Sequence, residues 1–198
     1  MDHICVTHAT ATAMRVAIRA PGLQLNVVSA HAPHNAYDTE HQQEWWNALE
    51  EMVGAEANGV ETVVCIDSNS HLADSVEGIV EEPPCSKANE PAEFFINFLK
   101  NCEMCLPATE KGKNKHIEEP TCFVNGHGVI IDFVAIPASM REQCVAAGVL
   151  QGIDLSTTKI DHQAEQALVH IREQTSINNA WSRKHICSVK ALAKESVL

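Results

Sequence analysis

Apolar and polar positions alternate with a period of two early in the chain. Met14, Val16 and Ile18 interleave with Arg15 and Arg19, Pro21-Gly22 breaks the run, and Leu23, Leu25 and Val27 resume it towards His31. Two alternating runs around a Pro-Gly pair predict a β-hairpin with one buried face. The period then changes. Over residues 38–56, His41, Trp45, Leu49 and Met52 recur at helical spacing with Trp46 and Val53 beside them, which predicts an amphipathic helix ended by Gly59. Residues 61–66 form a short, mostly apolar strand that stops at Asp67.

The acidic segment 73–91 contains Pro83-Pro84 and reads as a loop. Phe94, Phe95, Phe98 and Leu99 pack into a helix over 93–100, and Cys105-Leu106-Pro107 reads as the start of a buried strand. A strand is expected at 121–124, then a turn at Gly126-His127-Gly128, then the most apolar strand of the protein at 129–136. Further strands are expected at 145–150 and 163–171, and a partly helical tail at 188–195. Strands and helices intermix and one connection is antiparallel, so α/β layers or an α+β arrangement fit better than a doubly wound parallel sheet.

Composition narrows this without redirecting it. A chain of 198 residues with 45% hydrophobic and 20% charged side chains has the make-up of a globular domain, not of a collagen, a coiled coil or a disordered chain. No apolar run approaches the ~18 residues of a membrane span. No basic residue precedes the first apolar stretch, so an intracellular location without a signal peptide is expected. The net charge of −12 is uneven, with Lys87 the one basic residue between positions 20 and 99. Such a body does not adsorb broadly to nucleic acid. Clustered carboxylates holding a divalent cation still admit a phosphodiester. The eight cysteines are expected to stay reduced. Cys102, Cys105, His116 and Cys122 form a weak zinc-like spacing, ranked below burial as small apolar residues.

The polar residues fall at strand ends, as they do in enzyme sites. His31 ends the second strand, Asp67 and Asn69 follow the next, Asp132 interrupts an apolar run, and Asp161-His162 precede the last strand. Asp67 and Asp161 suit Mg²⁺, which prefers hard oxygen ligands. Asp132 can orient His162 for proton transfer or charge stabilisation, and Asn69 can steer a water or a phosphate oxygen. Each also has a plainer reading. Asp67-Ser68-Asn69 can be a locally bonded turn, Asp132 can pair with Arg141, and His31 and His162 can be satisfied core histidines. Taken together and in this order, they favour a site.

The same residues resemble the endonuclease/exonuclease/phosphatase superfamily, which includes apurinic endonucleases, deoxyribonucleases and retroelement endonucleases. Its "His-x-Pro" element is similar to His31-Ala32-Pro33 and its "Gly-Asp-Phe-Asn" to Ile66-Asp67-Ser68-Asn69. Its "Leu-Pro-x-Thr" is similar to Leu106-Pro107-Ala108-Thr109, its "Thr-Trp" to Thr121-Cys122-Phe123, its "Arg-Ile-Asp-Tyr" to Ile130-Ile131-Asp132-Phe133, and its "Ser-Asp-His" to Ile160-Asp161-His162. The resemblance implies two packed β-sheets flanked by helices, in four layers, and hydrolysis of a nucleic-acid phosphodiester, with DNA the expected substrate and Mg²⁺ or Mn²⁺ the cofactor. It implies Asp67 at the attacking water, Asn69 positioning, Asp161 and Asp67 on the metal, His162 oriented by Asp132 at the scissile phosphate, and His31 towards the leaving group.

Three of the family's usual residues differ, with Ile66, Ile130 and Ile160 in place of Gly, a basic residue and Ser. In the family an Asn and a Glu of the metal site precede the "His-x-Pro" strand. Here the 30 residues before His31 hold Asp2 and no Glu. The expectation is therefore a domain over 1–172 that lacks the first strands of the fold, with a basic tail over 173–198. Activity is expected to be impaired, and the incomplete sheet open to self-association. The alternative is an inactive remnant serving as a binding module.

Overall fold

The computed structural model describes residues 3–54, 59–114, 118–124, 126–150, 162–171 and 185–190. The predicted hairpin is present. Strand β2 (Ala13–Ala20) and strand β3 (Leu23–His31) pair antiparallel across Pro21-Gly22, and Gly22 takes the positive φ of 77° that the turn requires. Strand β1 (Ile4–Ala9), which the alternation did not mark, adds to the outer side of β2. All six of its residues are exposed, so no buried face imprinted a pattern on it.

Helix α1 (Thr39–Gly54) follows, then strand β4 (Thr62–Asp67), which runs parallel to β3. Helix α2 (Pro91–Asn101) opens on a proline in its first turn, where the missing N–H costs nothing. It leads to strand β5 (Met104–Cys105). That strand ends where one was expected to begin: Leu106 passes into a 3-10 turn at Pro107–Thr109, because Pro107 lacks the donor a ladder needs. Strands β6 (Cys122–Val124) and β7 (His127–Val129) make a small hairpin. The apolar run expected to be one strand breaks after Val129 and resumes as β8 (Asp132–Pro137). The break has a cause in side-chain hydrogen bonds. Thr121 Oγ1 accepts the N–H groups of Ile131 and Asp132, and Ser68 donates both its N–H and its hydroxyl to the Ile131 carbonyl.

The main sheet has the order β1-β2-β3-β4-β8-β5. Strands β9 (Cys144–Val149), β10 (Glu165–Ile171) and β11 (His185–Lys190) form a second, antiparallel sheet in the order β11-β10-β9. Residues 188–190, expected to be helical, are therefore strand, held by pairing along β10. Two apolar layers result. Trp46, Leu49, Phe95, Phe98, Leu99 and Phe133 fill the layer between the main sheet and the helices. Leu25, Val63, Cys65, Val134, Ile136, Ala167 and Val169 fill the layer between the two sheets. The architecture is mixed α/β, a helical layer and two sheets.

Two expected faces are corrected. The buried stripe of α1 runs through Gln42, Trp46, Leu49 and Met52, with His41 exposed. Trp45 is half-buried and donates its indole N–H to Thr12 Oγ1. On β2 the closely covered face carries Ala13, Arg15 and Ala17, while Met14 is exposed and Val16 and Ile18 are half-buried. The layer between the sheets reaches Ile18 and Leu23 but neither Met14 nor Val16. Among the described residues no helix is long and apolar enough to cross a membrane.

Candidate active site

Strand register assembles the polar residues. His31 lies opposite Asp67 in the parallel β3–β4 pair, and Asp67 lies opposite Asp132 in the antiparallel β4–β8 pair. The three make one row across adjacent strands, and side chains in such a row share a face. His31 Nε2 stands 3.4 Å from Asp67 Oδ2. His162 arrives from elsewhere. Its backbone bridges to Cys122, and the next N–H, of Gln163, donates to the Thr121 carbonyl at 2.6 Å. That places its Nδ1 3.0 Å from Asp132 Oδ2 and 3.2 Å from Oδ1. Thr121 thus fixes both members of the pair, since its hydroxyl accepts the Asp132 N–H.

Asp132 pairs with His162, not with Arg141. The Arg141 guanidinium is bonded to Glu110, at 3.1 Å, and to Glu81. The imidazole Nε2 lies 3.4 Å from Cys122 Sγ. Asn69 has a left-handed backbone, φ 50°, which asparagine tolerates better than most residues. Its N–H donates to Asp67 Oδ1 at 3.1 Å and its side-chain amide to the Ala32 carbonyl at 2.8 Å. The local turn and the candidate site are therefore one structure.

Ligand atoms of Asp67, Asp132 and His162 all lie within 4.8 Å of one another, the one such group among the described residues. Burial, then the neighbouring Asp132 carboxylate, pushes the Asp67 carboxyl above the ordinary carboxylate range. The Asn69 N–H, His31 and His162 oppose that rise. Two carboxylates in adjacent strands with an imidazole beside them fit a divalent cation, which would offset their mutual repulsion. Asp161 and Asp2 lie outside the described residues, as does His116 of the zinc-like spacing. That spacing is not assembled: Cys102 packs against the helix-side layer and Cys105 belongs to the layer between the sheets. Burial pushes their thiols up to about 12 and about 11, which keeps them protonated.

Glu165 gave no sequence signal beyond being acidic. It begins β10 within the layer behind the site, 2% exposed, and accepts the Val134 N–H at 3.4 Å. Among the described residues its other oxygen has no hydrogen-bond partner. Burial drives its carboxyl well above the usual range, and Asp132 adds to the rise.

A helical layer, a six-stranded sheet and a second sheet, with this polar row at the strand ends, make up a fold that the chain shares with solved structures. Among solved structures the chain is similar to the 3′ phosphatase NExo from Neisseria bound to a product DNA hairpin, with TM-score 0.60 and 13% identity over 84% of this chain and 70% of that one. It is similar to an AP endonuclease from Archaeoglobus fulgidus, with TM-score 0.58 and 15% identity over 80% of this chain and 65% of that one. It is also similar to the endonuclease domain of TRAS1, a telomere-specific non-LTR retrotransposon, with TM-score 0.54 and 17% identity over 88% and 72%. The chain spans between 64% and 72% of the lengths of four solved structures that it matches. No protein-family model and no curated protein matches the sequence.

Proposed function

We propose that the chain is a divalent-metal-dependent phosphodiesterase acting on nucleic acid. The observation that carries this reading is the His31–Asp67–Asp132 row completed by His162. Asp67 accepts a proton from the attacking water. Asn69, pinned to the Ala32 carbonyl, orients that water or a phosphate oxygen. Asp132 holds the His162 ring through Nδ1 beside Asp67, where the imidazole offsets charge on the phosphate. His31, 64% exposed in its side chain, reaches the leaving-group side. Asp67, with Asp161, would hold Mg²⁺ or Mn²⁺. When bound, the ion supplies positive charge against the phosphate oxygens.

The DNA hairpin bound by the Neisseria 3′ phosphatase supports nucleic acid as the substrate class. The test is nicking of supercoiled plasmid with Mg²⁺ or Mn²⁺, run beside Asp67→Ala and His162→Ala. Metal-dependent nicking that drops at least about a hundredfold in both variants is expected, the scale of losing a general acid or base. Nicking that survives both substitutions, or none from folded protein with either ion, overturns the reading.

A further inference from the structure

Two carboxyls are buried among the described residues, Asp132 and Glu165, and the proposed reaction uses only Asp132. One oxygen of Glu165 accepts the Val134 N–H, on the strand that carries Asp132. The other, Oε2, is buried and meets no hydrogen-bond partner among the described residues. A second buried group also falls one bond short. The Thr121 hydroxyl, on a residue 2% exposed, accepts the N–H groups of Ile131 and Asp132, both at 3.0 Å. Both lone pairs are thereby used, and its hydrogen is left to donate. That hydrogen meets no acceptor among the described residues. Thr121 and Glu165 line one cavity of about 20 Å³. Asn114 lines it too, its amide nitrogen donating to the Ala108 carbonyl at 2.8 Å. Gly148, on β9, leaves the room that side chain needs, since a Cβ there would fall 2.6 Å from Asn114 Oδ1.

A cavity of this size takes one water, which needs roughly 10–15 Å³ and two to four polar partners. A purely apolar cavity stays dry. This one is lined by two residues that each lack one hydrogen bond, and Glu165 Oε2 is not bonded to Thr121. A buried polar group is costly unless it is paired, so both groups favour a bridging water. We infer that one ordered water occupies this cavity, accepting the Thr121 hydroxyl hydrogen and bonding Glu165 Oε2. Glu165 is, through that water, a positioning residue for the Asp132–His162 pair. Thr121 is the link. Its hydroxyl holds the Asp132 N–H, and its carbonyl holds the N–H of Gln163, next to His162. Glu165 also holds β8 directly, at Val134. The pair is thus braced from the layer between the sheets. The inference rests on the site proposed above and adds what keeps its imidazole and carboxylate in place.

The test joins a crystal structure that shows ordered water to the ring-nitrogen chemical shifts of His162, for wild type, Glu165→Gln and Glu165→Leu. Wild type should hold one water within about 3.2 Å of both Thr121 Oγ1 and Glu165 Oε2. Glu165→Gln keeps an oxygen for Val134 and a donor for the water, so the water and the His162 shifts should stay as they are. Glu165→Leu offers the water nothing. There the water should be lost, the His162 shifts should move, and nicking turnover should fall about tenfold, the low end for a partner that supports a site. The Michaelis constant should not change. A dry cavity in wild type, a water that touches one group alone, or a direct Thr121–Glu165 bond overturns the bridge. Unmoved His162 shifts in folded Glu165→Leu overturn the positioning role. If Glu165→Leu does not fold, Glu165→Met takes its place, and the wild-type crystal decides the bridge by itself. Water and shift changes as expected, with no nicking by wild type, leave the inference and remove the hydrolase. Nicking without them overturns the inference and leaves the hydrolase.

Discussion

The two faces of the main sheet are filled by different chemistry. On the helix side, Trp46, Phe95, Phe98 and Phe133 stack with ring centroids 5.5–6.4 Å apart. Between the sheets no aromatic cluster occurs among the described residues. Aliphatic side chains, Met140 and the thiols of Cys65, Cys105 and Cys144 fill that layer, and Glu165 is buried among them. Burial, with Glu165 adding to it, pushes the Cys65 thiol up to about 12. Large buried rings dominate the energetics of a core, so stability is concentrated on the helix side. The layer that backs the candidate site is the one that buries a carboxyl, Glu165, and there stability depends on pH.

The sharpest way to break this contrast is Phe95→Ala. Phe95 is fully buried between Trp46, Phe98 and Phe133, so its loss should cost about 3–5 kcal/mol in urea unfolding, the range for a buried ring. Next comes Glu165→Gln. A carboxyl raised by folding stabilises the protein fully below its unfolded value, and that stability is lost as pH rises towards the folded value. Wild type should therefore lose up to about 1.4 kcal/mol per pH unit, from the ordinary carboxylate range upward, relative to the variant. Parallel unfolding curves for the two proteins across that window would remove Glu165 as a titrating group. The smallest expected effect is that of Asp67→Asn. Its carboxyl is raised in the same direction, so without metal the variant should melt about 1–3 °C higher near neutral pH. It should also lose any Mg²⁺-dependent rise in Tm, which separates a ligand from a structural turn.

Much of this was legible because local periodicity reports a nearby buried face. The 14–31 hairpin, the helix from residue 39, the strand ending at Asp67 and the order of the polar residues could all be read. What could not be read is set by partners distant in sequence. Strand β1 has no covered face and so no alternation. The break at Ile130-Ile131 is imposed by Ser68 and Thr121, not by any residue in the run. Arg15 lies buried on a strand whose pattern pointed Met14 inward, because cover, not alternation, decides the inner face. The candidate site was visible as an ordered set of residue types. Its geometry needed the strand order β3-β4-β8, which alone places His31, Asp67 and Asp132 side by side.

That row also ties chemistry to assembly. Its members stand at positions 31, 67 and 132, and no two share a hairpin. Pairing β8 with β4 closes a loop of more than sixty residues, among the slower steps a chain of this topology takes. A register slip by one residue would also turn the carboxylate to the opposite side of the sheet. Partly assembled or misregistered chains therefore lack the site altogether rather than holding a weakened form of it. The row acts as a proofreading device: a chain that has not finished folding correctly does not hold it.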